Sequence, residues 1–271
     1  MIKPGEIQRK AREVGVRDQQ IEKDYILSWI LQGIAQHAHL SKSVVFKGGT
    51  VLKKIYFKDY RFSEDLDFTL LNSEITNELI IKWFKETFEY TLEEANLRLE
   101  IIDNKALELE RAINDGINFY ISYIGPLGGQ GNNKKVKVDI SRSEKLEFKP
   151  IIKPILIEYS DLKEYGLLCY TLEEVLVEKL RTLMQRMQAR DFYDIWYLLE
   201  VYGMDVSFYI KEFISKCTSK NLKAADFPKK LTERMPQYKG RWQSSMSEQI
   251  QNLPDFDSVE RETLRHLKTL K

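Results

Sequence analysis

Two aspartates one residue apart, Asp65 and Asp67, follow a glycine pair, Gly48-Gly49, with an apolar run before the glycines and another between the two motifs. This order constrains the chain more than any other feature. Successive side chains on a strand alternate between faces, so Asp65 and Asp67 project from one face, roughly 6.5 to 7 Å apart, while Leu66 and Phe68 turn to a core. Carboxylates held that close repel, and a third nearby would add on the order of a few kcal/mol at an effective dielectric near 20. A divalent cation removes that repulsion. Mg²⁺ suits hard oxygen ligands, and usually takes one or two carboxylates while keeping places for water and substrate phosphates.

Gly48-Gly49-Thr50 supplies a plausible phosphate cradle. It follows Val44-Val45-Phe46, a short strand, and precedes Val51 to Tyr56, which has the pattern of a short helix. Glycine lets backbone approach phosphate closely, a helix start offers free N–H groups, and the Thr50 hydroxyl suits either a helix cap or a phosphate oxygen. A lone Gly-Gly is usually a turn and a lone Asp-x-Asp usually a solvated strand face. Together and in this order they are far more specific.

A third acid lies in Val136-Lys137-Val138-Asp139-Ile140, where strict alternation puts Lys137, Asp139 and Ser141 on one face. Asp139 joins Asp65 and Asp67 if the two strands pair in register. Downstream, Thr171-Leu172-Glu173-Glu174 has the form of a capping box, and Leu172, Val175, Leu176, Lys179, Leu180 and Leu183 keep helical spacing. Lys179 sits at the edge of that apolar stripe, where a lysine either snorkels to solvent or reaches into a cleft. Asp191 and Asp194 share one face of a further helix with Arg190 alongside. An ion-pair network with Arg181, Arg186 or Arg190 is the plain explanation for them.

These motifs resemble the polymerase-β-like nucleotidyltransferases, whose signature is an apolar residue, Gly-Gly or Gly-Ser, a helix, Asp-x-Asp, and a later acid between apolar residues. Within that superfamily the chain is similar to the AbiEii toxin family. The similarity is carried by Ile21-Glu22-Lys23-Asp24-Tyr25, Phe46-Lys47-Gly48-Gly49-Thr50, Arg61-Phe62-Ser63-Glu64-Asp65-Leu66-Asp67-Phe68, Glu178-Lys179-Leu180 and Arg190-Asp191-Phe192-Tyr193-Asp194-Ile195. Thr50 stands where the superfamily often has serine, and the slightly long interval from Gly49 to Asp65 falls around Phe57 to Tyr60.

The resemblance implies an α+β fold, with a polymerase-β-like nucleotidyltransferase core on a mixed β-sheet and a helical C-terminal half. It implies transfer of a nucleoside monophosphate from an NTP to a cellular acceptor. Asp65, Asp67 and Asp139 would bind Mg²⁺ and act in catalysis, and Gly48, Gly49, Thr50, Ser63 and Lys179 would hold the nucleotide. Lys179 would neutralise triphosphate charge, Asp191 would position the acceptor or move its proton, and Arg190 and Asp194 would support them. The implied setting is a type IV toxin–antitoxin or phage-defence system. The tRNA 3′ end is the leading acceptor, a protein hydroxyl the enzymatic alternative, and a cognate antitoxin acts without requiring a stable complex. A catalytically silent nucleotide- or RNA-binding module is the competing class; clustered acids argue against it.

With 271 residues, 43% of them hydrophobic, the chain can bury substantial cores. We expect a nucleotidyltransferase core over residues 1–160 with an N-terminal helix, and a mostly helical domain over 161–271. No apolar run is long enough for a membrane span and Met1-Ile2-Lys3-Pro4 has no signal-peptide pattern, so a cytoplasmic place is expected. Two cysteines, Cys169 and Cys217, argue against a disulfide framework or zinc site, and His37, His39 and His266 show no ligand spacing. The net charge of +1 does not advertise global nucleic-acid binding. It leaves room for local basic patches around Lys134 to Lys149 and Lys220 to Arg234, which are either RNA-backbone contacts or solvated faces. Helices are expected over 19–37, 74–96, 208–214, 222–235, 246–253 and 259–270, strands over 97–102 and 117–123, a glycine-rich hairpin connection over 125–133, and a connector over 158–168, with Trp242 packing between segments.

Overall fold

The computed structural model describes residues 1–102, 116–129, 131 and 134–270. Two compact units divide the chain: residues 1–144 with 150–169, and residues 145–149 with 170–271.

The first unit holds a mixed sheet that has seven strands among the described residues: β1 (Val44–Lys47), β2 (Asp65–Leu70), β3 (Arg98–Ile102), β4 (Gly116–Ile124), β5 (Lys135–Ser141), β6 (Ile151–Pro154) and β7 (Gly166–Cys169), in the order β3-β4-β5-β2-β1-β7-β6. β2 runs antiparallel to β1 and parallel to β5, while β4 and β5 form the expected antiparallel hairpin. Of its connection, residues 130, 132 and 133 lie outside the described residues, and the remainder turns through Gly128 and Gly129 at positive φ. The segment expected as a connector over 158–168 instead ends in β7, which pairs in parallel with β1 through Phe46 and Cys169. Four residues, Gly166-Leu167-Leu168-Cys169, are too short a run to show an alternation.

Strict alternation along β4 and β5 gives the sheet one apolar face, built from Ile117, Phe119, Ile121, Val136, Val138 and Ile140, all buried. Phe84 of helix α5 (Asn77–Ala95) meets Phe119 edge to face at 5.0 Å. Helix α5 opens on the Thr76 cap and closes on Asn96 in the left-handed region. Helix α2 (Asp18–Gln36) was expected to be amphipathic, yet Gln20 to Ile34 is buried almost all round, because α1 (Pro4–Val14), α5 and β7 pack against it. At Gly33 the approach is tight: a Cβ there would stand 3.2 Å from Thr87 Cβ. A single helical turn, α3 (Leu40–Ser43), leads into β1, and between β1 and β2 a short α-turn, α4 (Gly48–Val51), continues as a π-helical turn over Leu52–Tyr56.

The second unit is helical: α6 (Leu172–Leu183), α7 (Ala189–Trp196), α8 (Ile210–Ser219), α9 (Phe227–Met246) and α10 (Phe256–His266). Thr171 caps α6 by accepting from the Glu174 N–H, but the reciprocal half of the capping box is absent. The Glu174 carboxylate instead accepts the N–H groups of Glu147 and Phe148, both at 2.8 Å, and pairs with Lys216 at 2.5 Å. Those bonds are why 145–149 belongs with this unit. Helix α9 runs through Pro236 to Met246, whereas a break was expected near 235 and a new helix over 246–253. Leu231, Met235, Tyr238, Trp242 and Met246 form one buried stripe across the proline, and that burial outweighs the roughly 3 kcal/mol a proline costs inside a helix. Trp242 packs edge to face on Phe256 at 5.3 Å and donates to the Pro254 carbonyl.

Candidate active site

The strand β1 ends at Lys47, and the chain turns sharply at Gly48, where φ is +81°. A side chain is excluded there twice, by the left-handed backbone and by the Asp67 carboxyl carbon, which would stand 3.0 Å from a Cβ. The glycine turn therefore touches the second aspartate directly. Thr50 is inside the helical turn rather than at its cap: its buried hydroxyl donates to the Asp65 carbonyl at 2.5 Å and lies 2.7 Å from the Ser63 hydroxyl. Thr50 and Ser63 thus tie the turn to the first residue of β2.

Register sets the rest of the polar face. Lys47 pairs with Asp67, Asp67 with Asp139, and Asp139 with Asn118, giving one row across β1, β2, β5 and β4. The next row is Asp65, Lys137 and Tyr120. Strand spacing of about 4.8 Å puts Asp67 and Asp139 side by side, with Asp65 on the same face. Lys137 Nζ lies 3.5 Å from Asp139, and its pKa is raised: burial works against the charge, but the Asp139 carboxylate outweighs it. Lys47 donates to the Ser141 hydroxyl at 3.1 Å. Among the described residues no three Asp, Glu, His or Cys side chains converge as a closed metal cage. The hard-oxygen donors on this face nevertheless fit Mg²⁺, which needs only one or two carboxylates when substrate phosphates complete its shell.

Helix α2 anchors these segments through consecutive residues. Glu22, buried, accepts the Leu127 N–H at 2.8 Å and pairs with Lys134; Lys23 pairs with Glu64 at 2.7 Å, next to Asp65. Asp24 holds Lys54 at 2.5 Å and accepts from Tyr159 at 2.7 Å, while Lys53 pairs with Glu158 at 2.7 Å. Burial, then the Asp24 charge, raises the Tyr159 pKa well above its ordinary value, so the phenol stays a donor. Tyr25 donates to Asp161. Reading the sequence by apolar periodicity missed Lys47, Lys53, Lys54 and Arg61, all buried. The signal available was the charged Glu22-Lys23-Asp24 inside an otherwise apolar helix, since buried charges require partners.

The second group of residues forms its own cluster within the second unit. Lys179 Nζ lies 2.6 Å from Asp191 and 2.7 Å from Asp194, both carboxylates fully buried. Arg186 closes on Asp191 with two bonds, at 2.7 and 3.1 Å. Burial alone would raise the Asp191 pKa; the charges of Lys179 and Arg186 overcome it and hold the carboxyl well below the usual range. Arg190, partly exposed, follows Ala189 at the start of α7. Lys179 therefore neither snorkels nor stands apart: it joins the charged core that α6 and α7 share.

The three histidines serve packing and surface pairs. His39 stacks on Trp83 at 5.0 Å, His37 meets Glu86 and His266 meets Glu200. Cys169 and Cys217 are free, and burial pushes both thiols up to about 11. No helix among the described residues is long and apolar enough to cross a membrane.

Among solved structures, the chain is similar to MenT4, a nucleotidyltransferase toxin of Mycobacterium tuberculosis H37Rv, with a TM-score of 0.70 and 14% identity over 100% of this chain and 90% of that one. It is also similar to JHP933 of Helicobacter pylori, with a TM-score of 0.58 and 16% identity over 94% and 93% of the two chains. At such identities the likeness shows the fold. No curated protein matches the chain by sequence. The family model described as the nucleotidyl transferase AbiEii toxin of type IV toxin–antitoxin systems matches residues 29–262, which takes in the glycine turn, the Asp65, Asp67 and Asp139 face and the Lys179 cluster. This chain belongs to that family and is a nucleotidyltransferase toxin.

Proposed function

We propose that this enzyme uses Mg²⁺ to transfer a nucleoside monophosphate from an NTP to the 3′ end of an RNA, with tRNA the leading acceptor. The observation that carries this reading is the row of Asp67 beside Asp139, with Asp65 on the same face and Gly48 packed against the Asp67 carboxylate. Bound Mg²⁺ would neutralise phosphate charge and align the α-phosphate for attack. Asp65 and Asp67 would hold it. Asp139 either completes that set or takes the proton of the attacking hydroxyl.

The backbone at Gly48 and Gly49 receives the phosphates, and the Thr50–Ser63–Asp65 bonds keep that turn fixed against β2. The acceptor oxygen forms a bond to the α-phosphorus, the bond to the β-phosphate oxygen breaks, and pyrophosphate leaves. Alignment and charge stabilisation supply the rate, with no covalent enzyme intermediate. In this reading Lys179 neutralises triphosphate charge and Asp191 positions the acceptor or moves its proton, with Arg190 and Asp194 in support. The Lys179 charge becomes available to phosphate only in exchange with one of its two carboxylates. Growth inhibition in the cytoplasm, restrained by a cognate antitoxin that need not bind stably, is the setting of this reading, with phage defence as one use.

The test incubates purified protein and Mg²⁺ with each α-labelled NTP and total tRNA, and separately with cell protein, using Asp67→Ala as control. Labelled RNA that requires Asp67 and added metal supports the reading. Label on protein instead overturns the RNA acceptor, and label that survives Asp67→Ala overturns the site.

A further inference from the structure

The polar face of the sheet extends past the carboxylates onto β5 and β4. Lys135, Lys137 and Asp139 alternate with buried Val136 and Val138, while Asn118, Tyr120 and Ser122 alternate with buried Phe119 and Ile121. Register makes Tyr120 the neighbour of Lys137, which is the neighbour of Asp65, and makes Ser122 the neighbour of Lys135. Tyr120 is half-buried on this face, with Lys135 Nζ 4.6 Å from its ring centroid. The ring thus lies beside Lys137 and under Lys135, two strands away from Asp65 and Asp67.

The strand order gives this patch a direction. The glycine turn that receives the phosphates is at the end of β1, and β5 and β4 lie on the other side of β2. Phosphoryl transfer places the attacking and leaving oxygens roughly in line. With pyrophosphate leaving on the β1 side, the acceptor hydroxyl arrives from the β5 side. Tyr120 is then two strand spacings, about 9 to 10 Å, from the Asp65 backbone, within reach of a base just behind the terminal nucleotide.

We infer that Tyr120, Lys135 and Lys137 form the platform for the single-stranded 3′ end of the acceptor, a base stacking on Tyr120 and the two lysines meeting its phosphates. This rests on the reading that the acceptor is RNA. Stacking on an aromatic ring tolerates any base, and lysines supply charge complementary to the backbone. The contact between Lys135 and the ring is of the weak kind found at accessible sites, so an arriving base displaces it and leaves the ammonium for a phosphate.

The experiment titrates a short labelled single-stranded RNA into the full chain without NTP, for the wild type, Tyr120→Phe, Tyr120→Leu and the pair Lys135→Gln with Lys137→Gln. Unfolding midpoints confirm that each variant is folded. Tyr120→Phe keeps the ring and binds as wild type, whereas Tyr120→Leu weakens binding by about tenfold. Removing both lysines lowers the slope of log Kd against log salt by about 1.4, as expected for two lost phosphate contacts on a single strand. Equal binding by Tyr120→Leu and wild type overturns the platform, as does a Tyr120→Leu effect confined to KM for the NTP, which would place the donor base there. The same preparations are assayed for transfer. Tyr120-dependent binding without labelled RNA leaves the platform standing and removes RNA transfer; labelled RNA with Tyr120-independent binding does the reverse.

Discussion

The acid row of the sheet and the charged core of the helical unit use the same residue types to opposite ends. Asp191 and Asp194 are fully buried, and Lys179 and Arg186 hold Asp191 at 2.6 to 3.1 Å. Asp139 has a side chain 43% exposed and meets Lys137 at 3.5 Å, beside Asp67 on the next strand. Matched buried charges fix a packing arrangement, because breaking one pair leaves an uncompensated ion. Carboxylates side by side on an accessible face keep their repulsion for a cationic ligand to relieve. The buried cluster first holds the fold of its unit together, and any part it takes in transfer comes through that packing, whereas the acid row is open to something that arrives.

The sharpest way to break this comparison is to neutralise one member of each cluster. Asp67→Asn should lower transfer by about 100-fold or more while moving the thermal midpoint little; normal turnover in the folded variant would sink the metal face. Lys179→Ala should do the opposite kind of damage first, costing about 3 to 5 kcal/mol in denaturant unfolding by removing the buried cation that Asp191 and Asp194 share. A Lys179→Ala protein as stable as wild type but inactive would show that Lys179 serves the chemistry and not the packing.

Gly48→Ala tests the contact between turn and acid. An L-residue at φ +81° costs about 1 to 2 kcal/mol, and the methyl group must also displace the Asp67 carboxylate, so transfer should fall further than stability. Unchanged transfer would show that the turn and Asp67 act independently. The smallest effect is one of pH. Asp191 has a folded pKa below its unfolded value, so its stabilising contribution is complete above the unfolded carboxylate pKa, near 4, and is lost as pH falls towards the folded value. Unfolding curves measured from pH 5 downwards should therefore flatten in Asp191→Asn relative to wild type, and identical slopes would remove the pair from the acid limb.

Much of this was legible in the chain because local pattern decided it. Val136 to Ile140 declares its two faces by strict alternation, and Gly48-Gly49 followed by Asp65-Leu66-Asp67 declares a turn and a strand with acids on one side. The AbiEii motifs carried the family, and the α+β class with its mixed sheet followed from it. Where local pattern is weak, the reading stopped short. β7 has four residues and gains its place only by pairing with β1 and β6; α9 survives Pro236 because its buried stripe continues beyond the proline through Tyr238, Trp242 and Met246. Glu174 fits the spacing of a capping box, but partners distant in sequence take its carboxylate.

Sequence by itself determined which residues carry charge, which faces alternate, where glycine permits a turn, and the family to which those motifs belong. Only the tertiary structure decided that Asp139 stands beside Asp67, that Gly48 touches that aspartate, that Lys54 needs Asp24, and that Lys179 is enclosed by Asp191 and Asp194. The reason is physical. Alternation and turns arise from neighbours along the chain, whereas strand register and the pairing of buried charges are set by which distant segments exclude water together.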